Sequence, residues 1–98
     1  MKTYLLIFNS KYGSRDDVQA KLDALSEIDY WYTCFSECFF ITSRLSAKEL
    51  TKLLNPSGSK DGRFLVIAVE GTDRQGMLPK AAWHVLRYPE NPELEMEQ

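Results

Sequence analysis

Hydrophobic and polar residues alternate along this chain in blocks that predict strands and helices. Apolar and aromatic residues concentrate at 3–8, 30–35, 38–43 and 64–69, with polar breaks between these blocks. Short runs rich in branched and aromatic residues are typical of strands. Because only residues 36–37 separate the second run from the third, these two runs predict an antiparallel hairpin.

Two blocks between the strands have the apolar spacing of helices. Val18 and Leu22 recur at helical spacing after Ser14, which is a favourable N-cap residue. The second helix begins at a capping box formed by Ser46 and Glu49. A shorter helical segment near the C-terminus begins at a proline, which is well suited to the first turn of a helix. The sequence thus predicts two full helices and a short third one.

The resulting order, β-α-β-β-α-β followed by a short helical appendage, predicts a ferredoxin-like α+β fold. The rules of strand connection lead to a four-stranded antiparallel sheet with both full helices on one face. We assign residues 1–88 to this domain. Residues 89–98 contain four glutamates and no lysine or arginine, so we expect an acidic disordered tail there.

Both faces of the predicted sheet are apolar. In the first strand, Leu5 and Ile7 point to one face while Tyr4 and Phe8 point to the other. A sheet with helices on one side usually has a polar opposite face, and a large exposed apolar patch is unusual in a monomer. We therefore expect something to cover the face that the two helices leave open.

Three kinds of cover fit this open face. The C-terminal segment can fold back as a lid, with Met77, Leu78, Trp83 and Leu86 as its apolar stripe. A second copy can stack sheet on sheet in a two-fold dimer. Single-stranded RNA can stack on the aromatic side chains. The residues that we assign to the dimer or lid face are Tyr4, Phe8, Tyr30, Tyr32, Phe39, Phe64 and Trp83.

Composition and charge exclude several classes of protein. The formal net charge of −2 does not indicate the strongly basic surface of most nucleic-acid-binding domains. Cys34, Cys38 and His84 are too few ligands for a zinc site, and two cysteines without an export signal favour a reducing, cytoplasmic location. No apolar run is long enough to span a membrane. We expect no cofactor, no metal and no membrane association.

A family resemblance is carried by four segments, which read YLLIFN, DYWYTCFSECFFITSRLSAKEL, DGRFLVIAVEG and LPKAAWHVL. Over residues 2–87 the chain resembles a group of small bacterial and phage proteins described as SinR-like. These are similar in fold to the small subunit of the CRISPR spacer-acquisition complex and to the antitoxin ribonuclease GhoS. The resemblance implies a ferredoxin-like dimer associated with nucleic acid, and in some relatives a metal-dependent nuclease.

The resemblance also implies where a nuclease centre would lie. In the acquisition subunit an aspartate at the end of the first strand flanks a metal, and the matching position here is Asn9. A neutral amide cannot supply the negative charge that holds Mg²⁺. We therefore expect a non-catalytic interaction module and name no catalytic residue. A metal-dependent endoribonuclease and a protein-binding phage or antitoxin-like factor are the alternatives.

The loop after the first strand is the candidate contact with nucleic acid. It leads into a helix N-terminus, where backbone N–H groups and the helix dipole favour anions. Lys11 and Arg15 add positive charge, and Tyr12 adds a stacking surface. The alternative interpretation is an ordinary solvated loop with a helix cap. The candidate nucleic-acid-binding residues are Asn9, Ser10, Lys11, Tyr12, Arg15 and Arg44. We expect a homodimer that binds RNA or DNA weakly.

Overall fold

A computed structural model describes residues 1–93 of the chain. Its elements are β1 (Lys2–Phe8), α1 (Arg15–Ala24), β2 (Tyr30–Tyr32), β3 (Cys38–Ser43), α2 (Ala47–Leu54), β4 (Phe64–Val69) and α3 (Lys80–Arg87). The four strands form one antiparallel sheet in the order β2-β3-β1-β4. Helices α1 and α2 pack on one face of this sheet, and α3 packs on the other. The predicted ferredoxin-like α+β fold with a C-terminal helical appendage is confirmed.

Both α1 and α2 begin at a reciprocal capping box. The Ser46 hydroxyl accepts a hydrogen bond from the Glu49 N–H, and the Glu49 carboxylate accepts one from the Ser46 N–H, as predicted. Ser14 and Asp17 make the same pair of contacts at α1, although only the serine cap was expected there. In both boxes the donated N–H lowers the carboxylate pKa, because it stabilises the charged form.

The hairpin between β2 and β3 is looser than the sequence predicts. Strand β2 ends at Tyr32 instead of residue 35, so residues 33–37 form the connection. The Thr33 hydroxyl explains this early end, since its single proton is within hydrogen-bond distance of the carbonyl oxygens of Phe35 and Cys38 and is shared between them. A side chain that bonds the local backbone competes with the strand ladder for the same groups.

The face under α1 and α2 contains the main core. Its buried residues come mainly from the two central strands, β1 and β3, and from both helices, and they include Tyr4, Leu6, Phe8, Val18, Leu22, Phe39, Ile41, Leu50 and Leu54. Phe64 packs against the same cluster. The assignment of Tyr4, Phe8, Phe39 and Phe64 to the open face is therefore wrong. Strand alternation separates the two faces, but when both are apolar it does not say which one the helices cover.

The opposite face is covered by α3. Leu78, Trp83 and Leu86 of the predicted lid belong to a second cluster around Phe40. Met77 was expected in the same stripe, but its side chain is 97% exposed. The other members of this cluster include Tyr30, Tyr32, Leu5, Ala82, Val85 and Val69. The lid hypothesis is thus correct for α3 and wrong for Met77, which precedes the helix.

A buried hydrogen bond attaches α3 to β1. The Thr3 hydroxyl donates to the Val85 carbonyl oxygen over 2.6 Å. This carbonyl would normally accept from the residue four positions later, but that residue is Pro89, which has no N–H. Thr3 therefore satisfies a helix-terminal acceptor that the chain's own backbone cannot.

Helix α3 leaves part of its face uncovered. Ile7, Leu65 and Ile67 are 42%, 54% and 48% exposed, and together we call them the apolar strip. Ile7 is paired with Leu65, and Ile67 lies two residues further along β4, opposite Leu5. The strip thus lies along β1 and β4, away from the region under α3.

The predicted acidic tail is described only in part. After α3, the Asn91 N–H donates to the Tyr88 carbonyl, which forms a turn. Residues 94–98 lie outside the described residues. In residues 1–93, no helix has the length and apolar character needed to cross a membrane.

Candidate functional site

A cleft lies at each end of the sheet, and the two clefts gather different residues. Because Lys2 pairs with Ser43 while Ile7 pairs with Cys38, Arg44 lies at the Lys2 end. The predicted loop lies at the other end of β1, about 20 Å away by strand geometry. The structure therefore does not bring Arg44 together with Lys11, and its inclusion in that site is wrong.

The cleft at the loop end is formed by two loops packed against each other. It has a volume of about 500 Å³ and is lined by Asn9, Lys11, Ser59, Lys60, Asp61, Gly62 and Arg63; we call it the loop cleft. A Cβ added to Gly62 would lie only 2.4 Å from the Tyr12 nitrogen, so a side chain there would separate the loops. Lys11, Lys60 and Arg63 give this cleft a positive charge, with Asp61 opposing it.

The Asn9 side chain holds the two loops together. Its Oδ1 accepts hydrogen bonds from the Tyr12 N–H over 3.2 Å and from the Arg63 N–H over 3.0 Å. The Asn9 backbone N–H also donates to the Arg63 carbonyl. The amide oxygen that would face a metal or a phosphate is thus engaged with the backbone. Asn9 positions the loop cleft and does not offer this oxygen to a ligand.

Tyr12 is packed into the fold instead of presenting a stacking surface. Its ring centre is 4.8 Å from that of Phe64, and the Lys21 Nζ lies 4.2 Å over the ring. Its hydroxyl donates to the Leu54 carbonyl at the end of α2, and partial burial raises the Tyr12 pKa. Of the other predicted residues, Lys11 lines the cleft, and Ser10 and Arg15 are exposed.

A larger cleft lies at the opposite end, between the start of β1, the segment after β4, and α3. Its volume is about 950 Å³, and we call it the α3 cleft. Four cationic side chains line it, from Lys2, Arg74, Lys80 and Arg87. Among its described lining residues the one carboxylate is Glu70, which pairs with Lys2 over 3.0 Å. The cleft is therefore positively charged overall.

The polar side of α3 supplies two of the four cations in this cleft, Lys80 and Arg87. Lys80, His84 and Arg87 recur at spacings of four and three, so they lie along one side of the helix. The His84 ring lies 4.9 Å from the Tyr88 ring, and its Nε2 is 2.8 Å from the Asn91 carbonyl oxygen. Tyr88 is 48% exposed. The cleft thus combines cations with an accessible aromatic ring.

Sequence reasoning missed this basic stripe, although the signal was present. Trp83 is predicted as part of the lid and His84 as one of too few zinc ligands, whereas Lys80 and Arg87 are in neither group. A helical projection of residues 80–87 separates the basic side from the buried side of Ala82, Val85 and Leu86. Lys2 and Arg74 reach the cleft only through the fold.

The two thiols are unsuited to nucleophilic chemistry at neutral pH. Cys34 and Cys38 are both free. Burial, and then the neighbouring Cys34, raises the pKa of Cys38 from 9.0 to about 11, and burial also raises the pKa of Cys34. A protonated thiol is a poor nucleophile and a poor metal ligand. Within residues 1–93, no three or more His, Cys, Asp and Glu side chains are grouped as a metal ion would require.

Comparison with protein-family models, with curated proteins and with solved structures finds no match to this chain. The resemblance to the SinR-like proteins therefore stays a prediction.

Proposed function

We propose that this domain is a non-catalytic cytoplasmic module that binds single-stranded RNA or DNA through the α3 cleft. One observation carries the proposal: Lys2, Arg74, Lys80 and Arg87 converge on a single cleft with one carboxylate among its described lining residues. Neutralising phosphates and releasing their counterions is the main source of affinity for nucleic acids. A cleft of this charge fits a phosphate backbone better than it fits a basic or an apolar surface.

The aromatic residues favour a single strand over a duplex. Tyr88 exposes about half of its surface beside the basic stripe, and Trp83 also lines the cleft. Bases can stack on exposed rings only when they are free of a duplex partner. The overall charge of −2 implies weak, salt-sensitive binding confined to this cleft.

The loop cleft is the second candidate for the same activity. Lys11, Lys60 and Arg63 face one carboxylate there, that of Asp61. It has about half the volume of the α3 cleft. Tyr12, its nearest aromatic residue, is held by Phe64 and Lys21. These differences favour the α3 cleft.

Metal-dependent ribonuclease activity is the less favoured alternative. It would place Asn9 next to a metal, but the Asn9 Oδ1 already accepts two backbone N–H groups. If the domain is such an enzyme, divalent cations will stimulate cleavage of RNA. Intact RNA across a panel of Mg²⁺, Mn²⁺ and Ca²⁺ would count against it.

Fluorescence anisotropy with labelled oligomers of uridine and of thymidine, each of about 12 nucleotides, tests the proposal. We expect binding at about 50 mM salt that weakens steeply by about 200 mM. The Lys80→Ala/Arg87→Ala variant should bind about tenfold more weakly, with a salt slope smaller by about 2.

A matched control removes the same charge elsewhere. Lys48 and Lys52 are exposed on α2, on the opposite face of the sheet, so Lys48→Ala/Lys52→Ala should leave affinity unchanged. Lys11→Ala/Arg15→Ala tests the loop end. If this variant alone weakens binding, the α3 cleft is the wrong site. If wild-type protein binds neither oligomer at low salt, the proposed function is wrong.

A further inference from the structure

Strand β4 is an unprotected sheet edge. It is the last strand in the order β2-β3-β1-β4, and within residues 1–93 no strand pairs with its outer side. The segment FLVIAV contains no charge, proline or glycine. Natural edge strands are usually short or carry such residues, because an open edge recruits other strands. The opposite edge, β2, follows that rule with a length of three residues.

The hydrogen-bond pattern shows which groups of β4 face outward. The Asn9 N–H donates to the Arg63 carbonyl, whereas the Phe8 N–H donates towards β3. In an antiparallel ladder, bonded and non-bonded positions alternate. Leu65, Ile67 and Val69 therefore bond β1. The backbone N–H and C=O groups that point away from the sheet belong to Phe64, Val66 and Ala68.

We propose that two copies of this chain associate through β4, pairing antiparallel about a two-fold axis at Val66 to form one continuous eight-stranded sheet. In this register Val66 lies opposite its own copy, and Phe64 lies opposite Ala68 of the partner subunit. Every outward N–H and C=O group of the strand is then paired, with about six hydrogen bonds across the seam.

Side-chain placement supports the same register. Leu65 then lies opposite the partner's Ile67, and directly opposed residues of antiparallel strands point to the same face. Their exposed surfaces, 54% and 48% in the single chain, meet across the seam beside Ile7. Shifting the register by one residue would oppose side chains that belong to different faces.

Charge at the ends of β4 is also complementary. Arg63 precedes the strand and Glu70 follows it, and both are exposed. Antiparallel pairing brings the Arg63 end of one protomer to the Glu70 end of the other. No charged side chain lies between them, so self-pairing opposes no like charges.

Edge pairing fits the structure better than the sheet-on-sheet dimer that the sequence suggested. Helix α3 occupies much of the face where a second sheet would have to lie. What remains, the apolar strip, follows β1 and β4 up to the open edge. A single pair of edge strands makes a smaller contact than a standard interface, so we expect weak association, with a dissociation constant on the order of 10 µM.

Sedimentation velocity over a range of protein concentrations tests this proposal. Wild type should shift from monomer to dimer. In Leu65→Lys/Ile67→Lys the new lysines oppose each other across the seam, which should weaken association at least about tenfold. In Leu65→Lys/Ile67→Glu each new lysine opposes a glutamate of the partner, so association should recover.

The paired variants separate this register from other modes of association. Both positions are exposed, and circular dichroism will report whether each variant is folded. If a double variant is not folded, the single variant Leu65→Lys replaces it. We expect this variant to weaken association by an intermediate amount. Wild type that stays monomeric at about 500 µM would overturn the proposal, given the affinity expected for such an interface. Equal affinities for the two double variants would overturn the register.

Discussion

The two faces of the sheet are closed in different ways. Helices α1 and α2 cover one face and fully bury its centre at Leu6, Phe39 and Ile41. The other face is covered by α3, which leaves Ile7 and Leu65 in water. The same strands thus contribute to one well-buried core and one partly covered face. The α3 cleft and the open β4 edge both adjoin the partly covered face.

Buried hydroxyl groups are also better satisfied on the first face than on the second. On the first face the Tyr4 hydroxyl donates to the Leu45 carbonyl over 2.6 Å. On the second, Thr3 and Thr42 lie directly opposite each other. Thr3 is bonded to α3, but the buried Thr42 Oγ1 has no partner within the described part of the chain. Buried polar groups are normally satisfied, so α3 fits its face less well.

The largest expected effect is a difference between the two faces in how far truncating a side chain lowers the free energy of unfolding. Phe39→Ala, on the closed face, should lower the free energy of unfolding by about 3–5 kcal/mol, because it leaves a cavity in a fully buried site. Ile7→Ala, on the apolar strip, should cost less than about 1 kcal/mol. Urea denaturation of dilute protein measures both values. Similar losses would mean that the two faces are equally buried.

Substitutions of the two threonines under α3 should change the free energy of unfolding by smaller amounts and in opposite directions. Thr3→Val should cost about 1–3 kcal/mol, because it leaves the Val85 carbonyl without a donor. Thr42→Val replaces an unsatisfied hydroxyl with a methyl group of similar size and should stabilise by about 1 kcal/mol. Thermal and urea denaturation would report both changes. Two changes of the same sign would show that α3 is not attached to β1 as described.

A kinetic effect is expected at Cys38, which lies opposite Ile7 beside the apolar strip. Its raised pKa, about 11, means that folding favours the protonated thiol. The resulting stabilisation is present below pH 9 and is lost as the pH rises towards 11. At pH 8, iodoacetamide should therefore label Cys38 about 100-fold more slowly than in the unfolded chain. Equal rates would show that this end of the face is fully solvated.

The sequence was sufficient to predict the elements of the fold, because local signals determine them. Residues 64–69 form a strand with the predicted bounds, and the capping box at Ser46 starts α2. Assigning residues to the two faces of the sheet was harder. Tyr4 and Leu5 are neighbours on β1 and both are apolar, so alternation alone does not show which face each one helps to form. Only the packing of α1, α2 and α3 decides which of them lies in which core.

The candidate site was predictable only in part for a similar reason. Lys11 was identified because it is close in sequence to a helix start, and it does line a cleft. Arg44 was grouped with it by residue type alone, and the strand register places it at the other end of the sheet. Lys2 and Arg74 meet across the fold, and no local pattern connects residues so far apart in the chain.

Residue-resolved amide hydrogen exchange along β4, measured by NMR in dilute protein, tests the asymmetry of the sheet most directly. The N–H groups of Leu65 and Ile67 bond β1, whereas those of Val66 and Ala68 face the open edge. The account predicts alternating protection, with slow exchange at Leu65 and Ile67 and fast exchange at Val66 and Ala68. Uniformly slow exchange along β4 would show that the edge is already covered in the single chain, and would contradict the account.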